Sequence, residues 1–127
     1  MKIRTDFVTN SSSSGFVALI VNTKSKSIEA RMDYDTGYGY LWDQNISKSS
    51  LDKALDSCVN GRDLIDIFNE HLSCYFEDWL KGDSPAELNE ILSITDFKNV
   101  LSLEVHEEMY PDGDEEEYWD YSKKFDK

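Results

Sequence analysis

Cys58, His71, Cys74 and His106 are the residues of this chain whose types best suit a transition metal. Two thiolates and two imidazoles would make a four-ligand set of the kind that holds zinc. Their spacing is Cys-x12-His-x2-Cys-x31-His, which matches no known zinc module. Cys58 also falls on the apolar stripe of a helix, so a reduced core cysteine is expected there, with no metal and no cofactor. Ser50-Leu51-Asp52-Lys53 has the Ser-x-x-Lys spacing of serine acylases. The partner motifs Ser-Asp-Asn and Lys-Thr-Gly are missing, and Ser50 stands where a helix needs a cap. Asp33-x-Asp35-x-Gly37 opens like a calcium loop, but Gln44 stands at position 12, where a bidentate Glu is needed. Gly37-Tyr38-Gly39-Tyr40 has neither the dinucleotide-loop spacing nor a following Lys-Ser/Thr. General acid–base chemistry would fall to carboxylates, which are so numerous that no pair stands out. No catalytic residue is assigned.

The carboxylates are unevenly placed. The 127 residues carry 13 Lys and Arg against 26 Asp and Glu, a net charge of −13. Residues 1–62 hold 8 basic and 7 acidic groups, and residues 63–127 hold 5 and 19, a net of −14. Nine acids lie between Glu104 and Asp120 with no Lys or Arg among them. Direct nucleic-acid binding needs a basic footprint and is excluded on this ground. Anionic membrane surfaces are disfavoured likewise. The longest apolar run, Phe16–Val21, is six residues, far short of the roughly 20 of a membrane span. Residues 1–6 lead into no apolar signal segment, so a reducing cytoplasm with free thiols is the expected setting.

Positioning these groups requires a scaffold, and hydrophobic periodicity outlines one. Ile3 and Phe7 alternate with polar neighbours as in a short strand. Phe16–Val21 is apolar on both faces, as in a central strand. Ile28, Ala30, Met32 and Tyr34 alternate with charges, so the two segments read as an antiparallel hairpin with a turn at 22–25. Leu51, Ala54, Leu55, Cys58 and Val59 mark one face of a helix, capped by Ser49 or Ser50 and stopped at Asn60-Gly61. A second helix spans about Asp63 to Lys81, its apolar face including Phe68, Tyr75, Phe76 and Trp79, and ends at Gly82. Ser84-Pro85-Ala86-Glu87 reads as a capping box opening a short helix. Leu101, Leu103 and Val105 form a strand with one wet face, and Pro111-Asp112-Gly113 a turn. Tyr118, Trp119 and Tyr121 then form a returning strand, or residues 111–127 are a partly flexible acidic tail. The order implies one α+β domain over residues 1–127. Its antiparallel sheet carries the N-terminal strands and hairpin plus a C-terminal strand or hairpin, with two to three helices on one face.

The opening Phe7-Val8-Thr9-Asn10-Ser11-Ser12-Ser13-Ser14-Gly15-Phe16 is similar to that of a set of small uncharacterised bacterial and phage proteins. Those read Phe-Val-Ser/Thr-Asn, a run of Ser, then Phe; here Gly15 stands where the last Ser often stands. The resemblance covers about 16 residues, implies a bacterial or mobile-element origin and carries over no activity. Ser11, Ser12, Ser13 and Ser14 are either a connector or a recognition or modification loop rich in hydrogen-bond donors.

Three functional readings follow. The first is an acidic interaction protein that binds a basic protein surface through Glu107, Glu108, Asp112, Asp114, Glu115, Glu116 and Glu117, with Tyr118 and Trp119 as anchors. An inhibitor or nucleic-acid mimic from a mobile element is one concrete form of it. The second is an enzyme or small-ligand binder with a pocket near Tyr38, Tyr40, Trp42 and the serine loop. The third is a homo-oligomeric structural protein, such as a homodimer paired through its hairpin edge.

Overall fold

A computed structural model of the chain describes residues 14–35, 47–71, 75–110 and 117–125. The hairpin is strands β1 (Ser14–Thr23) and β2 (Ser27–Asp35). Helices α1 (Lys48–Asp56), α2 (Gly61–His71), α3 (Phe76–Asp83) and α4 (Pro85–Leu92) follow. A 3₁₀ turn at Phe97–Asn99 leads into β3 (Val100–Tyr110), and β4 is Glu117–Lys124. The four strands form one antiparallel sheet in the order β2-β1-β3-β4. The fold is α+β, with four helices where the periodicity marked two to three. Of the two readings of the C-terminal segment, residues 117–124 take the strand. The expected strand near Ile3 and Phe7 lies outside the described residues. Among those residues no helix is long and apolar enough to cross a membrane.

Alternation in the strands decides which sheet face the helices cover. Val17, Leu19 and Val21 of β1 stand beside Met32, Ala30 and Ile28 of β2 on one side, and beside Glu107, Val105 and Leu103 of β3 on the other. All three β1 residues are buried under Leu51, Leu55, Leu64, Phe68, Leu80 and Ile91 of the helices. Phe16, Ala18, Ile20, Arg31, His106 and Asp120 occupy the opposite face.

The helix boundaries differ from those the periodicity implies, for local reasons. The cap of α1 is Ser47, whose hydroxyl accepts from the Ser50 amide, rather than Ser49 or Ser50. That helix ends at Asp56, so Val59 is off its stripe and 63% exposed. Asn60-Gly61 starts α2 instead of stopping α1. The Asn60 side-chain oxygen accepts from the Asp63 amide at 2.9 Å. Gly61 is required by a close crossing: a Cβ there would stand 1.8 Å from the Ile91 carbonyl oxygen of α4. Its amide also donates to the Ile94 carbonyl at 2.8 Å. The helix expected over 63–81 is two helices. The core residues of α3 are Phe76 and Leu80, while Tyr75 and Trp79 turn outward, 56% and 40% exposed. A wheel drawn for one continuous helix misplaces them, because the break resets the phase.

Ser84 does not close the capping box. Its hydroxyl accepts from the Arg31 amide at 2.9 Å and donates to the Arg31 carbonyl at 2.7 Å. Asp83 accepts from the Asp33 amide at 2.9 Å. The junction of α3 and α4 thus occupies the outward backbone groups of edge strand β2, one way to blunt an edge.

The Gly61 crossing gives a stability test. Gly61→Ala should lower unfolding free energy by about 2 kcal/mol, since overpacking against a backbone carbonyl cannot be relieved by a rotamer change. Gly82→Ala, whose Cβ would meet nothing within 4 Å, should be neutral or stabilising by up to about 1 kcal/mol. Urea denaturation of both variants checks this, and equal midpoints would contradict the crossing.

Candidate functional site

Among the described residues, a dense arrangement of ionisable groups lies along β3, β4 and α1. Strand alternation puts His106 and Glu108 on the same face of β3, and the β3–β4 register sets Asp120 opposite His106. His106 Nε2 donates to Glu108 at 2.9 Å, and Nδ1 donates to Asp120. The Phe16 ring stands 5.8 Å from the imidazole, centroid to centroid. Partial burial disfavours the charged ring, but the two carboxylates outweigh it, so the His106 pKa is raised above the ordinary histidine value. Bonded through both nitrogens, the ring ties β3 to β4.

Helix α1 meets β4 from the other face. Tyr121 donates its hydroxyl proton to Asp52, and Lys123 pairs with Asp56 at 2.9 Å. Lys48 donates to the Asp120 carbonyl at 2.8 Å and lies 4.8 Å over the Trp119 ring. Burial foremost, then the Asp52 hydrogen bond and charge, raise the Tyr121 pKa, so the phenol stays protonated. Between these groups lies an open cleft of about 460 Å³, lined by Lys48, Asp52, Glu104, His106, Asp120 and Tyr121. It is poorly arranged for proton abstraction. Both His106 nitrogens are already bonded to carboxylates, and Asp52 accepts a hydrogen bond from Tyr121.

Of the acidic-patch residues singled out in the sequence, the described ones lie on the paired strands β3 and β4. Glu107 is 0% exposed, on the helix-facing side of β3 between Val17 and Trp119. Glu108 is 6% exposed and held by His106. Neither offers its carboxylate to a macromolecular partner, because a central strand takes these positions inside. Glu117 and Tyr118 are placed in β4 by backbone pairing opposite Met109 and Glu108. Trp119 is partly buried and stacks on Tyr121 at 6.1 Å. Asp112, Asp114, Glu115 and Glu116 lie outside the described residues, as do Ser11, Ser12, Ser13, Tyr38, Tyr40 and Trp42. Ser14 opens β1 opposite Asp35 and Tyr110.

The three candidate metal ligands among the described residues, Cys58, His71 and His106, are not brought together. His71 Nδ1 bonds the Ile67 carbonyl at 2.9 Å on α2, and His106 is on the sheet. Cys74 lies outside the described residues. Among the described residues no group of three His, Cys, Asp or Glu is placed to hold a metal ion. Burial, and then the charge of Asp63, push the Cys58 thiol up to about 12.

The helical layer carries a feature that the periodicity assigned to the core. Tyr75 and Trp79 project from the start of α3 with their rings 6.1 Å apart and inclined at 32°. A clamp from α2 fixes this helix. Arg62 Nη1 donates to Glu77 at 3.0 Å, with Nη2 on its other oxygen, and Arg62 Nε donates to Asp66 at 3.0 Å. The Glu77 amide donates to Asn69 Oδ1 at 2.9 Å. The Arg62 hydrogen bond, against partial burial, holds the Glu77 carboxyl below the usual range. Comparison with protein-family models, with curated proteins and with solved structures finds no match.

Two measurements check this description. The folded-state pKa of His106 is raised, so its contribution to stability is full below about pH 6.5 and is lost as pH rises through the folded value. Melting temperature should therefore fall as pH rises above that range, and His106→Asn should remove that part of the slope. In a Cys74→Ser variant, the remaining thiol should react with a disulfide reagent roughly 10³-fold more slowly than a free cysteine, following its thiolate fraction. A rate near that of the free amino acid would place Cys58 in a different environment.

Proposed function

We propose that this protein is a small acidic interaction protein that engages a basic surface of a protein partner. The carrying observation is the net charge of −14 over residues 63–127, against near-neutrality in residues 1–62. An asymmetric field of this size steers oppositely charged partners and repels phosphate backbones. Helical residues 61–92 hold 8 acids and 2 basic groups, so the helical layer shares in this field beside the 104–120 segment. The burial of Glu107 and Glu108 shifts the expected contact toward the remaining acids and the helices.

The pocket of the enzyme or small-ligand reading, near Tyr38, Tyr40, Trp42 and the serine loop, lies outside the described residues apart from Ser14. Pairing of two copies through the hairpin edge is less favoured. Ser84 and Asp83 already bond the outward groups of Arg31 and Asp33.

The test is retention of partners from the source lysate on immobilised protein, at about 50 mM and at about 500 mM salt. Screening shortens from roughly 14 Å to roughly 4 Å over that range. A basic protein should be held at the lower concentration and released at the higher, and duplex DNA alone should not bind. Retention of no basic protein at low salt would overturn the reading.

A further inference from the structure

The Tyr75–Trp79 pair gives this proposed surface an address. Tyr75 and Trp79 are one helical turn apart, joined by a Trp79 amide to Tyr75 carbonyl bond of 2.9 Å. At helical spacing Asp78 and Gly82 share their side of α3, with Asp83 one turn beyond Trp79. Gly82 leaves open space where a side chain would rise, so the rings are bordered by a low, flat strip. Asp78 and Asp83 are exposed. The nearby positive charges are committed elsewhere. Arg62 is held by Glu77 and Asp66, and Lys81, one turn after Glu77, acts electrostatically on that carboxylate.

Some other aromatic rings of the described structure lie under the protein's own cations. Arg31 lies 3.9 Å over Phe16, and Lys123 lies 5.4 Å over Phe125. Trp79 is 40% exposed, and among the described residues no cation lies over it. Exposed tryptophan and tyrosine beside carboxylates suit a cationic planar group, which stacks on the ring and pairs with the acid together.

We propose that Tyr75 and Trp79, flanked by Asp78 and Asp83, form the anchor of the interaction surface and receive an arginine-bearing segment of the partner protein. This rests on the acidic-interaction reading and assigns it a place and a residue preference. Arginine is favoured over lysine because the guanidinium stacks flat and still offers edge donors to a carboxylate. The Arg62–Glu77 clamp positions the rings in advance, which lowers the ordering cost of binding.

The test uses octa-arginine and octa-lysine peptides, titrated calorimetrically into the full chain at about 50 mM salt. Octa-arginine should bind several-fold more tightly than octa-lysine. Trp79→Ala should weaken octa-arginine binding about tenfold, within the range for an aromatic anchor, and Tyr75→Ala less. Leu101→Ala, an exposed apolar residue on β3, should change it less than twofold. In the unaltered protein the Trp79 indole N–H resonance should move on adding octa-arginine, a readout that needs no variant to fold. Equal binding by Trp79→Ala with a motionless indole resonance would overturn the anchor while leaving the acidic reading intact. No binding of either peptide by the unaltered protein would overturn both.

Discussion

Strand β1 is bonded along nearly its whole length on both sides, and the remaining structure depends on that double pairing. Its alternation sends Val17, Leu19 and Val21 to one face, and the register passes this assignment to β2 and β3. A slip of one residue in either pairing would turn Ile28, Ala30 and Met32, or Leu103 and Val105, to the wrong face. The helices cover the face that carries Val17, Leu19 and Val21. The same alternation places His106 and Asp120 away from the helices and Tyr121 toward them.

Charge is arranged in two ways on this frame. Where acids meet the sheet they are consumed internally: Glu108 and Asp120 by His106, Asp52 by Tyr121, Asp56 by Lys123. These contacts join β3 to β4 and β4 to α1. On the helical layer, Glu77 and Asp66 hold Arg62, Asp63 and Asp83 accept from the Val59 and Asp33 amides, Glu90 pairs with Lys26, and Asp78 is exposed. A carboxylate count in the sequence therefore overstates the charge available to a partner near the sheet and describes it better over the helices.

Several elements were legible before any coordinates. The hairpin, the central strand, the apolar helical stretches and the α+β class follow from periods of two and of about 3.6. Boundaries were less legible, because small polar residues have competing uses. Ser84 has the spacing of a capping box, yet its hydroxyl reaches edge strand β2, where two backbone groups of Arg31 offer it more. Asn60-Gly61 looks like a helix stop, yet Gly61 is set by contact with Ile91, which is distant in sequence.

The sequence by itself determined the net charge, its bias to the C-terminal half and the α+β class, since these depend only on residue types and short-range order. The tertiary structure decided which residues the field and the layers expose. Glu107 is inside because it faces the helices from mid-sheet, Glu108 is buried where it bonds His106, and Tyr75 and Trp79 are outside because α3 sets its own helical phase from Phe76. Both outcomes are set by contacts between residues far apart in the chain, and local periodicity carries no record of them.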